Sequence, residues 1–213
     1  MASSYPVPAG EARSEILVQN SRFIASLAPA FSVEEARNFV AKIRNEYSDA
    51  SHHVPAFLIG CGASVTAHCS DDGEPSGTAG RPVLTVLQGS GFGDVVLVVT
   101  RYFGGTKLGT GGLVRAYTEA AKQVLAVTRR AQRVLAHTCM LVLPYGLYQR
   151  TKLLISKQGG EILGESFAEQ VTVEYRFRID LLENFDLALS ELSNGKLRSE
   201  IIETGEIILP FVE

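Results

Sequence analysis

Five consecutive apolar residues, Val95-Val96-Leu97-Val98-Val99, constrain this chain more than any other feature. Four are β-branched, a run this short and this apolar reads as a buried strand, and glycine-bearing segments bound it on both sides. The stretch before it, Asp71-Asp72-Gly73-Glu74-Pro75-Ser76-Gly77-Thr78-Ala79-Gly80-Arg81, is acidic and then hydroxyl-rich. The stretch after it, Arg101-Tyr102-Phe103-Gly104-Gly105-Thr106-Lys107-Leu108-Gly109-Thr110-Gly111-Gly112, is basic and glycine-rich. A helix starting at Thr110 or Gly111 follows, with Leu113, Ala116, Tyr117, Ala120, Ala121, Val124 and Leu125 on one face. The expected surface is therefore two loops assembled around one buried strand.

Other elements follow from periodicity. Residues 1–12 show none and are expected to form a loose arm. Glu15 to Leu27 reads as two short strands or one bent strand around Asn20-Ser21. Ser32 and Glu35 have capping-box spacing, and Val33 to Tyr47 is an amphipathic helix. His53 to Gly60 and Val65 to Cys69 read as strands, Gly80 to Leu87 as an ambiguous segment with helical potential, and Gln88 to Gly93 as a turn. Thr128–Arg133 is a polar stretch read as a boundary, which gives domains at 1–130 and 134–213. Beyond it the order is strand Val134–Leu143, helix Tyr145–Lys157, strand Glu161–Phe167, an alternating strand from Val171 to Ile179, a helix ending near Asn194-Gly195, and strand Ser199–Phe211. That βαββαβ order is the ferredoxin-like plan, so the fold class is α+β.

Charge separates the two parts. Residues 1–135 hold 13 Lys/Arg against 11 Asp/Glu, a balance of +2, while residues 136–213 hold 7 against 12, a balance of −5. A polyanion partner would be met by the first part. Three cysteines without CxxC spacing fit a reducing cytosol, and no apolar run reaches membrane-spanning length, so a cytoplasmic protein with no membrane partner is expected.

In the basic loop, glycines allow backbone N–H groups to approach a ligand, and a helix N-terminus with Arg101, Lys107 and Arg115 nearby outlines an anion site. The alternative is that the glycines serve tight loop-on-strand packing. Neither GxxxxGK[ST] nor GxGxxG with a downstream acid is present. Asp71, Asp72 and Glu74 have the chemistry to hold a hard cation or move a proton, or to pair with Arg81, Arg101 or Lys107; Ser76 and Thr78 are candidate caps for the segment beginning near Ala79. His52-His53 and His68-Cys69 lack zinc-site spacing, and Ser76 is not in a GxSxG elbow, so no metal, cofactor or catalytic residue is assigned.

These motifs resemble those of the YigZ/IMPACT family: Ser21-Arg22-Phe23-Ile24, His52-His53, the Asp71–Gly80 segment, and Arg101-Tyr102-Phe103-Gly104-Gly105 through Leu108-Gly109-Thr110-Gly111-Gly112-Leu113-Val114-Arg115-Ala116-Tyr117. Val54-Pro55 follows the histidines where members often carry a Cys and an aromatic residue, so no catalytic role passes to the pair. The resemblance implies an N-terminal left-handed βαβ domain like ribosomal-protein and elongation factor G domain IV modules, then a ferredoxin-like domain like elongation factor G domain V. It implies contact with RNA or the ribosome. In eukaryotic members it implies translational regulation by competition for the activator of a stress-responsive initiation-factor kinase. The extra N-terminal domain those members use is not expected here, and that pathway is not carried over.

The leading reading is a non-enzymatic RNA- or ribosome-binding protein with a translation-regulatory role. Its binding residues are Asp71, Asp72, Glu74, Ser76, Thr78, Arg81, Arg101, Tyr102, Gly104, Gly105, Lys107, Gly109, Gly111, Gly112 and Arg115, with Tyr102 or Phe103 stacking on a base. A phosphate-ligand enzyme or sensor using the same loops is the alternative. A protein partner meeting the acidic second part is a third.

Overall fold

The computed structural model describes residues 5–61 and 65–210. Two compact units divide these residues: one runs to Gln132 and includes Leu209 and Pro210, and the other is Arg133–Ile208.

In the first unit, β1 (Pro6–Pro8) precedes a sheet of β2 (Ala12–Val18), β3 (Ser21–Pro29), β4 (His52–Ile59), β5 (Thr66–Cys69) and β6 (Val95–Tyr102). The strand order is β2-β3-β6-β4-β5, and every neighbouring pair is antiparallel. The apolar run occupies β6, the middle strand, and both its faces are covered. Val95, Leu97 and Val99 pack with Phe23, Leu27, Val54 and the apolar faces of α2 (Gly80–Gly89) and α3 (Gly109–Val127). Val96 and Val98 pack with Phe57 and with Ala36, Phe39 and Ile43 of α1 (Val33–Glu46). All five run residues are fully buried, a contribution on the order of 10 kcal/mol from this segment alone. β3 and β4 are each antiparallel to β6, hence parallel to one another, and α1 carries the chain across β6 between them. This is a β-α-β crossover that skips one strand.

The second unit contains most of β7 (Arg130–Leu143), then α4 (Tyr145–Lys157), β8 (Glu161–Phe167), β9 (Val171–Arg178), α5 (Ile179–Ser193) and most of β10 (Glu200–Pro210). The order β10-β7-β9-β8 is fourth-first-third-second, the ferredoxin-like arrangement. Val171, Val173, Tyr175 and Phe177 point inward with Cys139, Leu141, Leu143, Ile155 and Phe185. The mixed α+β fold class is as expected.

Several local expectations differ. Residues 5–12 are not a loose arm: β1 pairs antiparallel with Arg130–Gln132, Val7 is fully buried, and Tyr5 donates to Asp94 at 2.5 Å. Residues 1–4 lie outside the described residues. The polar stretch at 128–133 is strand from Arg130 onward, because β1 supplies its partner. The ambiguous segment from Gly80 is a helix through Gly89, leaving a shorter turn. Ile179 opens α5 instead of ending β9. The capping box is present with one change: Ser32 Oγ accepts the Glu35 N–H at 3.1 Å, while Glu35 accepts from Phe31 at 2.8 Å.

Candidate functional site

The two loops meet at Glu74. The β2–β3 turn, Gln19-Asn20, has positive φ at both residues, the two-residue hairpin geometry that matches strand twist. It delivers Ser21, fully buried, beneath the basic loop. Gly104 lies against this turn so closely that a Cβ would sit 2.0 Å from the Asn20 carbonyl carbon, so only glycine fits. Its N–H donates to Ser21 Oγ at 3.2 Å.

Arg101, at the end of β6, is 5% exposed. Its guanidinium lies 5.4 Å from the Phe23 ring centroid and 5.5 Å from that of Phe103. It donates to Glu74 Oε1 at 2.7 Å and to Ser21 Oγ at 3.4 Å, while its Nε is buried without a partner among the described residues. Tyr117 of α3 donates to the same Glu74 oxygen at 2.7 Å, and burial, then that hydrogen bond, pushes its phenol well above the usual range. One buried carboxylate thus ties the acidic loop to the last residues of β6 and to α3. Arg101 has no face toward solvent for a ligand.

The other acids are also engaged. Asp71 accepts backbone N–H groups from Gly77 at 2.8 Å, Ala79 at 3.1 Å and Gly80 at 2.8 Å. It therefore caps α2 from outside the helix, the role expected of Ser76 or Thr78; Thr78 instead donates to the Pro75 carbonyl at 2.6 Å, and Ser76 is exposed. Burial pushes the Asp71 carboxyl up, but the three N–H donors outweigh it and hold it below the usual carboxylate value. Asp72 accepts the His53 N–H at 2.6 Å and forms an ion pair with Arg44 of α1. The Asp72 carbonyl accepts from His52 Nδ1 at 2.8 Å, and His52 Nε2 lies 4.0 Å from Glu74 Oε2. Among the described residues no group of three or more His, Cys, Asp or Glu side chains is arranged to hold a metal ion.

Tyr102 is also held: it donates to Asp49 at 2.7 Å, and Arg22 covers its ring at 5.6 Å. Phe103 is 49% exposed and is the loop's accessible ring. Gly105, Lys107, Gly109, Gly111 and Arg115 are exposed and Gly112 half-buried; Arg81, on α2, is exposed as well. Leu108, at the N-cap of α3, makes no side-chain cap bond, and among the described residues no other side chain accepts from its first turn, Gly109-Thr110-Gly111-Gly112. Arg115 folds back toward that turn, its Nη1 lying 3.9 Å from where a Gly111 Cβ would be.

Tyr117, Ser21 and Arg44 were not among the expected site residues. Tyr117 left a signal: a buried tyrosine on an apolar helix face needs a partner for its hydroxyl. Arg44 left none, because its partner lies 28 residues away in the sequence, beyond any local pattern.

Comparison with known proteins adds a lineage. Residues 19–125 match the Impact N-terminal domain, and residues 141–196 match a domain of unknown function, DUF1949. A protein of Haemophilus influenzae called "IMPACT family member" is 38% identical, over 96% of this chain and 100% of its own. Escherichia coli "IMPACT family member YigZ" is 36% identical, over 94% of this chain and 98% of its own. A crystal structure of a hypothetical protein, 34% identical, aligns with TM-score 0.62 over 95% of this chain and 99% of its own.

Proposed function

This chain belongs to the IMPACT family, and on that premise we propose that it binds RNA on the ribosome in the cytoplasm and so regulates translation. One observation supports the reading above others: once internal pairing is complete, the charge left free at the joined loops is positive. Glu74 is paired with Arg101, Asp72 is paired with Arg44, and Asp71 keeps its charge but turns it inward onto three backbone N–H groups. Lys107 and Arg115 are exposed and have no acidic partner among the described residues. They flank the uncapped first turn of α3, whose N–H groups and dipole favour phosphate oxygens. Phe103 supplies the exposed ring on which a base stacks. Arg101 acts as scaffold, not as a phosphate contact.

The enzyme reading draws less support from the same loops. An Asp71 carboxyl held below its usual value is a weak base at neutral pH, and Glu74 already holds two donors.

The test is a salt series with single-stranded RNA. Replacing Lys107 and Arg115 together by alanine should weaken binding and reduce the slope of log K against log salt by about 1.4, roughly 0.7 per phosphate contact. Unchanged affinity and slope in a folded double variant would end the proposal.

A further inference from the structure

A second site lies on the opposite face of the same sheet, under α1. Arg37, Val40, Ala41 and Arg44 follow at i, i+3, i+4 and i+7, so they form one stripe on α1. The stripe faces Phe57 of β4 and His68 of the edge strand β5 across a groove of about 400 Å³, within the range of small-molecule pockets at roughly 300–1,000 Å³. The floor is apolar and flat: Phe57 is buried, and the exposed His68 ring stacks on it with centroids 5.0 Å apart at 30°. The charged groups lining the groove are cationic. Arg37 is exposed with no acidic partner among the described residues, and Arg44 is half-exposed beside Asp72. The two arginines are two helical turns apart, about 10 Å along α1, with the apolar part of the stripe between them.

We propose that this groove binds a small aromatic anion: a planar ring system lying between the Val40–Ala41 stripe and the Phe57–His68 stack, with one phosphate or carboxylate held by Arg37 or Arg44. An apolar floor calls for a ring, and a rim of guanidinium groups calls for an anion. The site is separate from the glycine-rich loop. It reaches the acidic loop through Arg44, which an incoming anion would share with Asp72.

Calorimetric titration of the full chain with AMP, indole-3-acetate and inorganic phosphate tests this. At least one aromatic probe should bind saturably below about 1 mM, and which one binds distinguishes phosphate from carboxylate. Inorganic phosphate should not bind in that range. Ala41 is exposed, so Ala41→Trp fills the groove without entering the core and should abolish binding. One of Arg37→Ala and Arg44→Ala should weaken binding about tenfold, the loss of one charge-assisted contact. The Lys107/Arg115 double variant should bind the probe as wild type does. The proposal fails if neither aromatic probe binds, if inorganic phosphate binds as tightly as the aromatic probes, or if Ala41→Trp, folded by circular dichroism, retains wild-type affinity.

Discussion

Glu74 is 8% exposed, and its Oε1 accepts from both Arg101 and Tyr117. A buried pair of this kind adds little net stability over apolar residues of the same size, but breaking it strands a charge away from water. Glu74→Ala should therefore cost about 3–5 kcal/mol in urea unfolding. Combining it with Arg101→Met should recover more than about 1 kcal/mol relative to the sum of the single changes. Additive costs would mean that the two side chains do not depend on each other. The residue types of this pair were legible in the sequence, as acids in one loop and bases in the other. Their pairing was not, because Glu74 and Arg101 are 27 positions apart and Arg81 and Lys107 were equally plausible partners on charge alone.

At the scale of elements, α2 depends on a cap that is not its neighbour. Ala79, at the N-cap, makes no side-chain cap bond; Asp71 fills that role from eight and nine residues upstream. This is why the segment read as ambiguous: the helix-start signal was displaced beyond the window in which capping boxes are recognised. The cap also sets a pH dependence. Because the folded-state value of Asp71 is depressed, its contribution is fully present above the unfolded carboxylate value, about pH 4, and is lost as pH falls through the lower folded value. Asp71→Asn should flatten that acid limb of stability, measured by thermal melts from neutral pH downward; an identical acid limb would show that the three N–H bonds contribute nothing differential. The basic loop makes a parallel point with its glycines. Gly104 abuts backbone, whereas Gly105 has φ +84 with open space around its Cα. Gly104→Ala should cost about 3 kcal/mol or more through displaced backbone, and Gly105→Ala roughly 1–2 kcal/mol from the left-handed conformation alone. Similar costs at both positions would refute the close-packing account. A glycine count identified the loop, but which glycine is forced by contact depends on a hairpin more than eighty residues earlier.

For the whole molecule, the legible features were those carried by long local periods: α1, α3, the alternating β9 and the βαββαβ order. β1 was not legible, since three residues, Pro-Val-Pro, become a strand only because Arg130–Gln132 are there to pair with them. The core clusters of the two units share no residue, and Cys139 reports on the second. Cys61 is exposed and should react with a thiol reagent at once; Cys139 is fully buried, and burial pushes its thiol up to about 11. Cys139 should therefore label only when the second core opens. Phe185, fully buried in that core, costs about 3–5 kcal/mol when cut to alanine. At a tenfold change per 1.4 kcal/mol, Phe185→Ala should speed Cys139 labelling at least about a hundredfold. Glu74→Ala is as damaging to the first unit, yet should move Cys139 labelling less than about tenfold if the cores open independently. Equal acceleration by both variants would instead mean that β7, which runs from one unit into the other, couples them into a single cooperative unit.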